Sequence, residues 1–317
     1  MYRFLLSILL QLRNDNKMTW QGRVQRRWNK SFDKANVDSV IATISGKGPE
    51  GGKAEGAGAH VVVNISSAHI SSFCKEGYKN AYEIFSEQST YSLRLTDPST
   101  GTQRIGGEPP KPISQTRKEV DRILQEATHI EPEHTYFCAV EVSGYGVRFY
   151  GDMCLVLKHS EVDADTVILD RNSYDLMRSP WKEEIAGDIE KRKEKVDSIK
   201  GYIEADLPAM AAYKVMERVG EYSRRLTTGE IAGNICVDED YIEVLHQKKI
   251  GIESIAEVRM SEGDVVAEAH TLIRLRSGIA PDLGAWTFMQ NRHRAIEVLD
   301  KHDVRVRVIT ASGRIKG

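Results

Sequence analysis

The residues of this chain that could do chemistry are scattered singly rather than gathered in a recognised motif. No HExxH, GxSxG or Walker A sequence is present, and no GxGxxG opens a helix after a strand. The nine histidines include no HxH or HxxxH pair, so metal-ligand spacing is missing. Cys74, Cys138, Cys154 and Cys236 form no CxxC pair, and the thiols read as reduced structural residues. What remains is a set of polar and aromatic side chains beside apolar strand runs. Glu243 alternates with Ile242 and Val244, and Glu257 lies in a second such run. His60 opens the run HVVVNIS, which also holds Asn64. Arg148 and Tyr150 sit in the glycine-rich stretch GYGVRFYG, and Ser173 and Tyr174 follow TVILDRN. Each has a bland reading. An alternating Glu points to solvent, a Tyr among glycines is a hairpin aromatic, and Asp170-Arg171-Asn172-Ser173 is a polar turn with local side-chain bonds.

The elements that must position these residues can be read from periodicity. HVVVNIS is a buried strand. Ser66 or Ser67 caps the helix that follows, Ile70, Phe73 and Cys74 share its face, and Gly77 ends it. Residues 86–112 read as a long Ser/Thr/Gly/Pro loop, and ISQTRKEVDRILQEA as a helix with Ser114 near its start. The stretch Tyr136 to Tyr174 gives strands at 136–142 and 153–157 and a third in TVIL. Residues 182–225 predict two helices broken near Pro208. GNICV, DYIEVLHQ and IAEVRM read as strands, VVAEAHTLIRLR fits strand or helix, NRHRAIEVLDKHD is a helix and VRVRVIT a last strand.

Ahead of this body, residues 1–59 form a separate region. MYRFLLSILLQL has the apolar start of a signal peptide but no small-residue cleavage site, and it is too short to span a bilayer. An upstream start or a docked surface helix is the reading preferred to secretion. Trp20 and Trp28 interleave with Arg23, Arg26 and Arg27 in an amphipathic helix or a partner-binding arm, and residues 46–59 are a glycine-rich linker. The 317 residues carry 44 basic and 46 acidic side chains, which argues against a wholly basic nucleic-acid surface; 40% are apolar and 28% charged, as in a globular protein. The expectation is a cytoplasmic α+β protein: residues 60–317 form a mixed, mainly antiparallel β core, with a helical insertion at about 182–225.

Three segments, HVVVNISSAHISSFCKEGYKNAYE, GVRFYGDMCLVLK with TVILDRNSY, and DYIEVLHQKKIGIESIAEV, together resemble the ADP-ribosyltransferase superfamily over about residues 60–260. The family's Ser-Thr-Ser triplet and Glu-x-Glu pair are missing. The resemblance implies an enzyme, a toxin or modifying effector, that uses NAD as substrate and a protein or nucleic acid as acceptor. It implies Glu243, with Glu257 as the alternative, as the catalytic carboxylate, His60 as the nucleotide-positioning residue, and Tyr150 or Tyr174 against nicotinamide. Ser173, Asn64 and Arg148 are further members. A carboxylate in that position would stabilise the oxocarbenium-like cation formed as the nicotinamide–ribose bond breaks. Two other functions compete. Arg274, Arg276, Arg292, Arg294, Arg305, Arg307 and Arg314 would give a nucleic-acid protein a basic C-terminal stripe. An assembly component would dock a partner protein through the apolar N-terminal segment. No membrane association is expected.

Overall fold

A computed structural model describes residues 19–28, 32–46, 58–85, 113–220, 224–238 and 240–310. The residue 1–18 apolar run, the 47–57 part of the glycine-rich stretch and the 86–112 loop lie outside the described residues. The fold is mixed α/β. The described residues hold eight strands, β1 His60–Ile65, β2 Tyr136–Glu141, β3 Met153–Leu157, β4 Val167–Leu169, β5 Lys200–Tyr202, β6 Glu243–His246, β7 Ile255–Ser261 and β8 Val306–Ile309. They form one sheet in the order β5-β4-β6-β2-β1-β3-β7-β8. Every described pairing is antiparallel except β7 with β8.

Two helical layers follow from strand alternation, since successive side chains point to opposite faces. Ile242 and Val244 pack with helices α1 Trp20–Trp28, α2 Lys34–Ile44, α8 Ile203–Val219 and α9 Thr228–Ile235. Leu245 and Leu169 pack on the other side with α5 Gln115–Thr128, α6 Trp181–Ile185 and α7 Ile189–Ile199. Trp20, Val24, Phe32, Val37 and Val40 therefore belong to the same core as the strands. Trp20 also donates its indole N–H to the Lys200 carbonyl at 2.8 Å. At the far end of the sheet stand α3 Ile70–Glu76, α10 Glu262–Arg276 and α11 Leu283–Asp300, with the short α4 Ala81–Phe85 nearer β2.

Most of the expected elements form, and their ends are explained locally. Ser66 caps the 3-10 turn that leads into α3, Ser114 caps α5, and Gly77 ends α3 at φ 77°. Two expectations are corrected and one open alternative is resolved. GNIC is the end of helix α9 and not a strand; Thr227 and Glu230 form a reciprocal capping box that fixes its start. The break in the 182–225 segment falls at Ala186–Asp188 and at the edge strand β5, while Pro208 lies inside α8. Pro208 is only the sixth residue of that helix, so it removes one ladder bond near an end that is already open. VVAEAHTLIRLR resolves to helix α10.

Candidate functional site

Strands β2 and β3 run in the same direction on either side of β1, so the chain must cross the sheet between them. Residues 142–152 make that crossing. Three buried polar side chains of the sheet hold it. Glu141 accepts from the amides of Val142, Gly144 and Gly146 at 2.9, 3.0 and 3.2 Å. Asn64 accepts from the Val147 amide at 2.8 Å and donates to the carbonyls of Tyr145 and Gly151, both at 3.0 Å. Arg259 donates to the carbonyls of Val142 and Gly144, both at 3.2 Å. The crossing lies so close that a Cβ on Gly146 would sit 2.0 Å from Asn64 Oδ1, at φ +71°. The glycines that make this stretch look loop-like are there for that approach.

The crossing ends in a 3-10 turn, Arg148–Tyr150, that presents two aromatic rings. Phe149 is 81% exposed and Tyr150 49% exposed, edge to face at 5.3 Å. Tyr150 Oη lies 3.3 Å from Tyr241 Oη, and Asn172 donates to the same Tyr241 oxygen at 3.2 Å. Tyr241 is buried, and burial together with the nearby Glu243 charge pushes its phenol well above its usual range. Two residues on, and so on the same face, Glu243 points inward from β6 and is 2% exposed.

Glu243 Oε2 accepts from the Ser173 amide at 2.9 Å. Burial raises the Glu243 carboxyl to about 7; the Arg117 charge and the Ser173 contacts pull the other way but do not win. Ser173 Oγ is close enough to favour the charged carboxylate, yet it is fully buried and meets no partner at hydrogen-bond geometry. Arg117, on α5, donates to Asp121, one turn on, while its guanidinium lies 3.6 Å over the Phe137 ring and 5.4 Å from the Tyr174 ring. Behind the site, Lys214 of α8 donates to the Asp170 carbonyl at 2.6 Å and to Asp240, and Arg218 also reaches Asp240. Lys214 thus ties the turn that carries Asn172 and Ser173 to the turn that carries Tyr241. Burial holds its ammonium below the ordinary lysine value even with Asp240 beside it.

The sequence-predicted residues divide into two groups. Glu243 and Ser173 are in contact, Tyr150 meets Tyr241, whose oxygen also accepts from Asn172 just before Ser173, and Tyr174, just after it, has the Arg117 guanidinium 5.4 Å from its ring. The other three are placed elsewhere. Asn64 is the structural clamp of the crossing segment. Arg148 forms an ion pair with Asp264. His60 pairs with Glu141 in the strand register and its ring lies 5.2 Å from that of His159, two strands or roughly 10 Å from the Tyr241 position. Glu257 occupies the same cross-strand row as Glu243, four strands away: Glu243, Ala139, Val62, Val156, Glu257. Burial opposes the Glu257 charge, and Arg259 and Arg307 outweigh it and hold the carboxyl below its usual value. Of the two acids, Glu243 is the one without a direct cationic partner.

Arg117, Tyr241, Asn172 and Lys214 went unpredicted as site members. Two of them left a signal. Tyr241 and Glu243 are spaced to share a strand face, and Arg117 and Asp121 share the helix face of Val120 and Leu124. In the sequence Asn172 is only part of a polar turn, and nothing in the spacing ties Lys214 to it. The basic stripe is also reduced: Arg292 is fully buried among Asp152, Asp264 and Glu268, and Arg307 pairs with Glu257. Arg314 lies outside the described residues. Among the described residues no helix is long and apolar enough to cross a membrane. The chain gives no match to a family model, to a curated protein or to a solved structure.

Proposed function

We propose that the chain transfers ADP-ribose from NAD to a macromolecular acceptor, with Glu243 as the catalytic carboxylate. The observation that carries this reading is the buried Glu243 carboxyl, poised near 7 beside the Ser173 amide and an unsatisfied Ser173 hydroxyl. A carboxylate of that pKa serves both as a charge and as a base at neutral pH. The half-exposed Tyr150 ring, with Phe149 next to it, offers an aromatic surface for nicotinamide at the outer end of the Tyr150–Tyr241 contact. In the reaction the bond between ribose C1′ and the nicotinamide nitrogen breaks, and nicotinamide leaves with the electron pair. The ionised Glu243 stabilises the cation at C1′ and takes the proton of the acceptor nucleophile as the new bond forms.

The test is nicotinamide release from NAD, followed by chromatography, together with label transfer from adenine-labelled NAD. The wild-type chain is expected to release nicotinamide, and Glu243→Gln to lose activity by about a hundredfold or more. A purified, folded chain that neither binds nor consumes NAD overturns the proposal.

A further inference from the structure

Strand β8 ends the sheet, and among the described residues no strand pairs with its outer edge. The amide of Val258 donates to the Arg305 carbonyl at 2.8 Å, which fixes the phase of this parallel ladder. Arg305, Arg307 and Ile309 turn their backbone groups to β7, so Val306 and Val308 turn theirs outward. Side chains alternate as well. Arg305 and Arg307 share the face of Glu257 and Arg259, and Val306 and Val308 share the face of Val258 and Met260. Val308 is 49% exposed. Helix α10 packs on β7 and β8 and leaves Val266, Ile273 and Leu275 exposed, with Ile279 and Leu283 just beyond it. Among the described residues eleven large apolar side chains are exposed, and these five and Val308 make up six of them, all on the segments from α10 to β8.

We infer that the β8 edge is a docking site for an extended segment of a partner protein in which acidic and apolar residues alternate. The backbone groups of Val306 and Val308 would pair with the incoming strand. Its acids would lie against Arg305 and Arg307, and its apolar residues against Val306 and Val308. Charge decides against a second copy of this chain as the occupant. An antiparallel β8–β8 pair that keeps the faces matched puts Arg307 opposite either an arginine, which is destabilising, or Ile309, which offers no counter-charge, whereas an acidic segment gives both arginines one. Among the described residues Arg307 pairs with one acid, Glu257, which it shares with Arg259, and Arg305 has no ion pair.

Fluorescence polarisation with the full chain tests the inference, using short labelled peptides of alternating Glu and Val, and of alternating Lys and Val. The Glu–Val peptide is expected to bind about tenfold more tightly, from two favourable cross-strand pairs in place of two repulsive ones. Combining Arg305→Glu with Arg307→Gln should weaken the Glu–Val peptide by a similar factor and leave the Lys–Val peptide no weaker. Val308→Pro removes an outward N–H, at a position where an edge strand tolerates proline, and should abolish binding of both peptides. Equal binding of the two peptides, or undiminished binding by Val308→Pro, overturns the proposal. So does a dimer of the chain in sedimentation that Val308→Pro dissolves, or salt-dependent DNA binding in place of peptide binding.

Discussion

Glu243 is held where its charge is costly. A carboxyl raised to about 7 binds its proton more tightly in the folded chain than in the unfolded one. Between the unfolded value near 4.3 and about 7, the folded state therefore carries more protons, and Glu243's contribution to stability falls as pH rises through that window. Above it the loss levels off, at roughly 3–4 kcal/mol. Glu243→Gln removes the slope, so thermal melts should show the variant gaining on the wild type from pH 5 to pH 8. A constant difference across that range would show that Glu243 is not raised. Activity has the opposite sign. In the proposed reaction the ionised carboxylate is the working form, so NAD turnover should rise with pH through about 7 and then level.

The crossing segment 142–152 is the element on which the site depends. Its backbone is gripped by Glu141, Asn64 and Arg259 from below, and its turn carries Tyr150. Gly146→Ala should cost about 2–4 kcal/mol in urea unfolding, since overpacking against Asn64 adds to a positive φ. The same variant should lose nicotinamide release if Tyr150 belongs to the site. Helix α9 illustrates a competing signal. Its β-branched and small residues read as a strand, but the Thr227–Glu230 box satisfies the orphan amides of a helix start. Thr227→Ala is expected to lower stability by about 1 kcal/mol in a thermal melt.

Across the molecule, the C-terminal helices are joined to the site segment by buried charge. Arg292 of α11 donates to Asp152, Asp264 and Glu268, and Asp264 also holds Arg148, in the turn that bears Tyr150. Asp152 in turn accepts from the Ser67 amide at 2.8 Å. Arg292→Met would leave Glu268 and Asp152 without their cation in a buried setting, and should cost about 3–5 kcal/mol in chemical denaturation. At the other end, α1 and α2 complete the core around α8, so Trp20→Ala should cost about 3–5 kcal/mol.

By itself the sequence determined the strands from Tyr136 to Leu169, the strand at His60, a cap at Ser66 or Ser67 and another at Ser114, and the alternation that puts Tyr241 and Glu243 on one face. These are local consequences of period, capping and turn chemistry, and they need no knowledge of neighbours. Only the tertiary structure decided which polar residues meet. His60 and Asn64 share a strand with no sign in the sequence that one lies beside His159 and the other clamps a crossing loop. Glu243 and Glu257 look alike in sequence, each set among apolar residues, yet one is buried without a cation of its own and the other lies between two arginines. The difference comes from strand order. Arg259 sits two residues along Glu257's own strand, where alternation alone puts it, but strand order adds Arg307 of β8 beside Glu257 and sets α5 and the Ser173 turn over Glu243, through contacts between residues far apart in the chain.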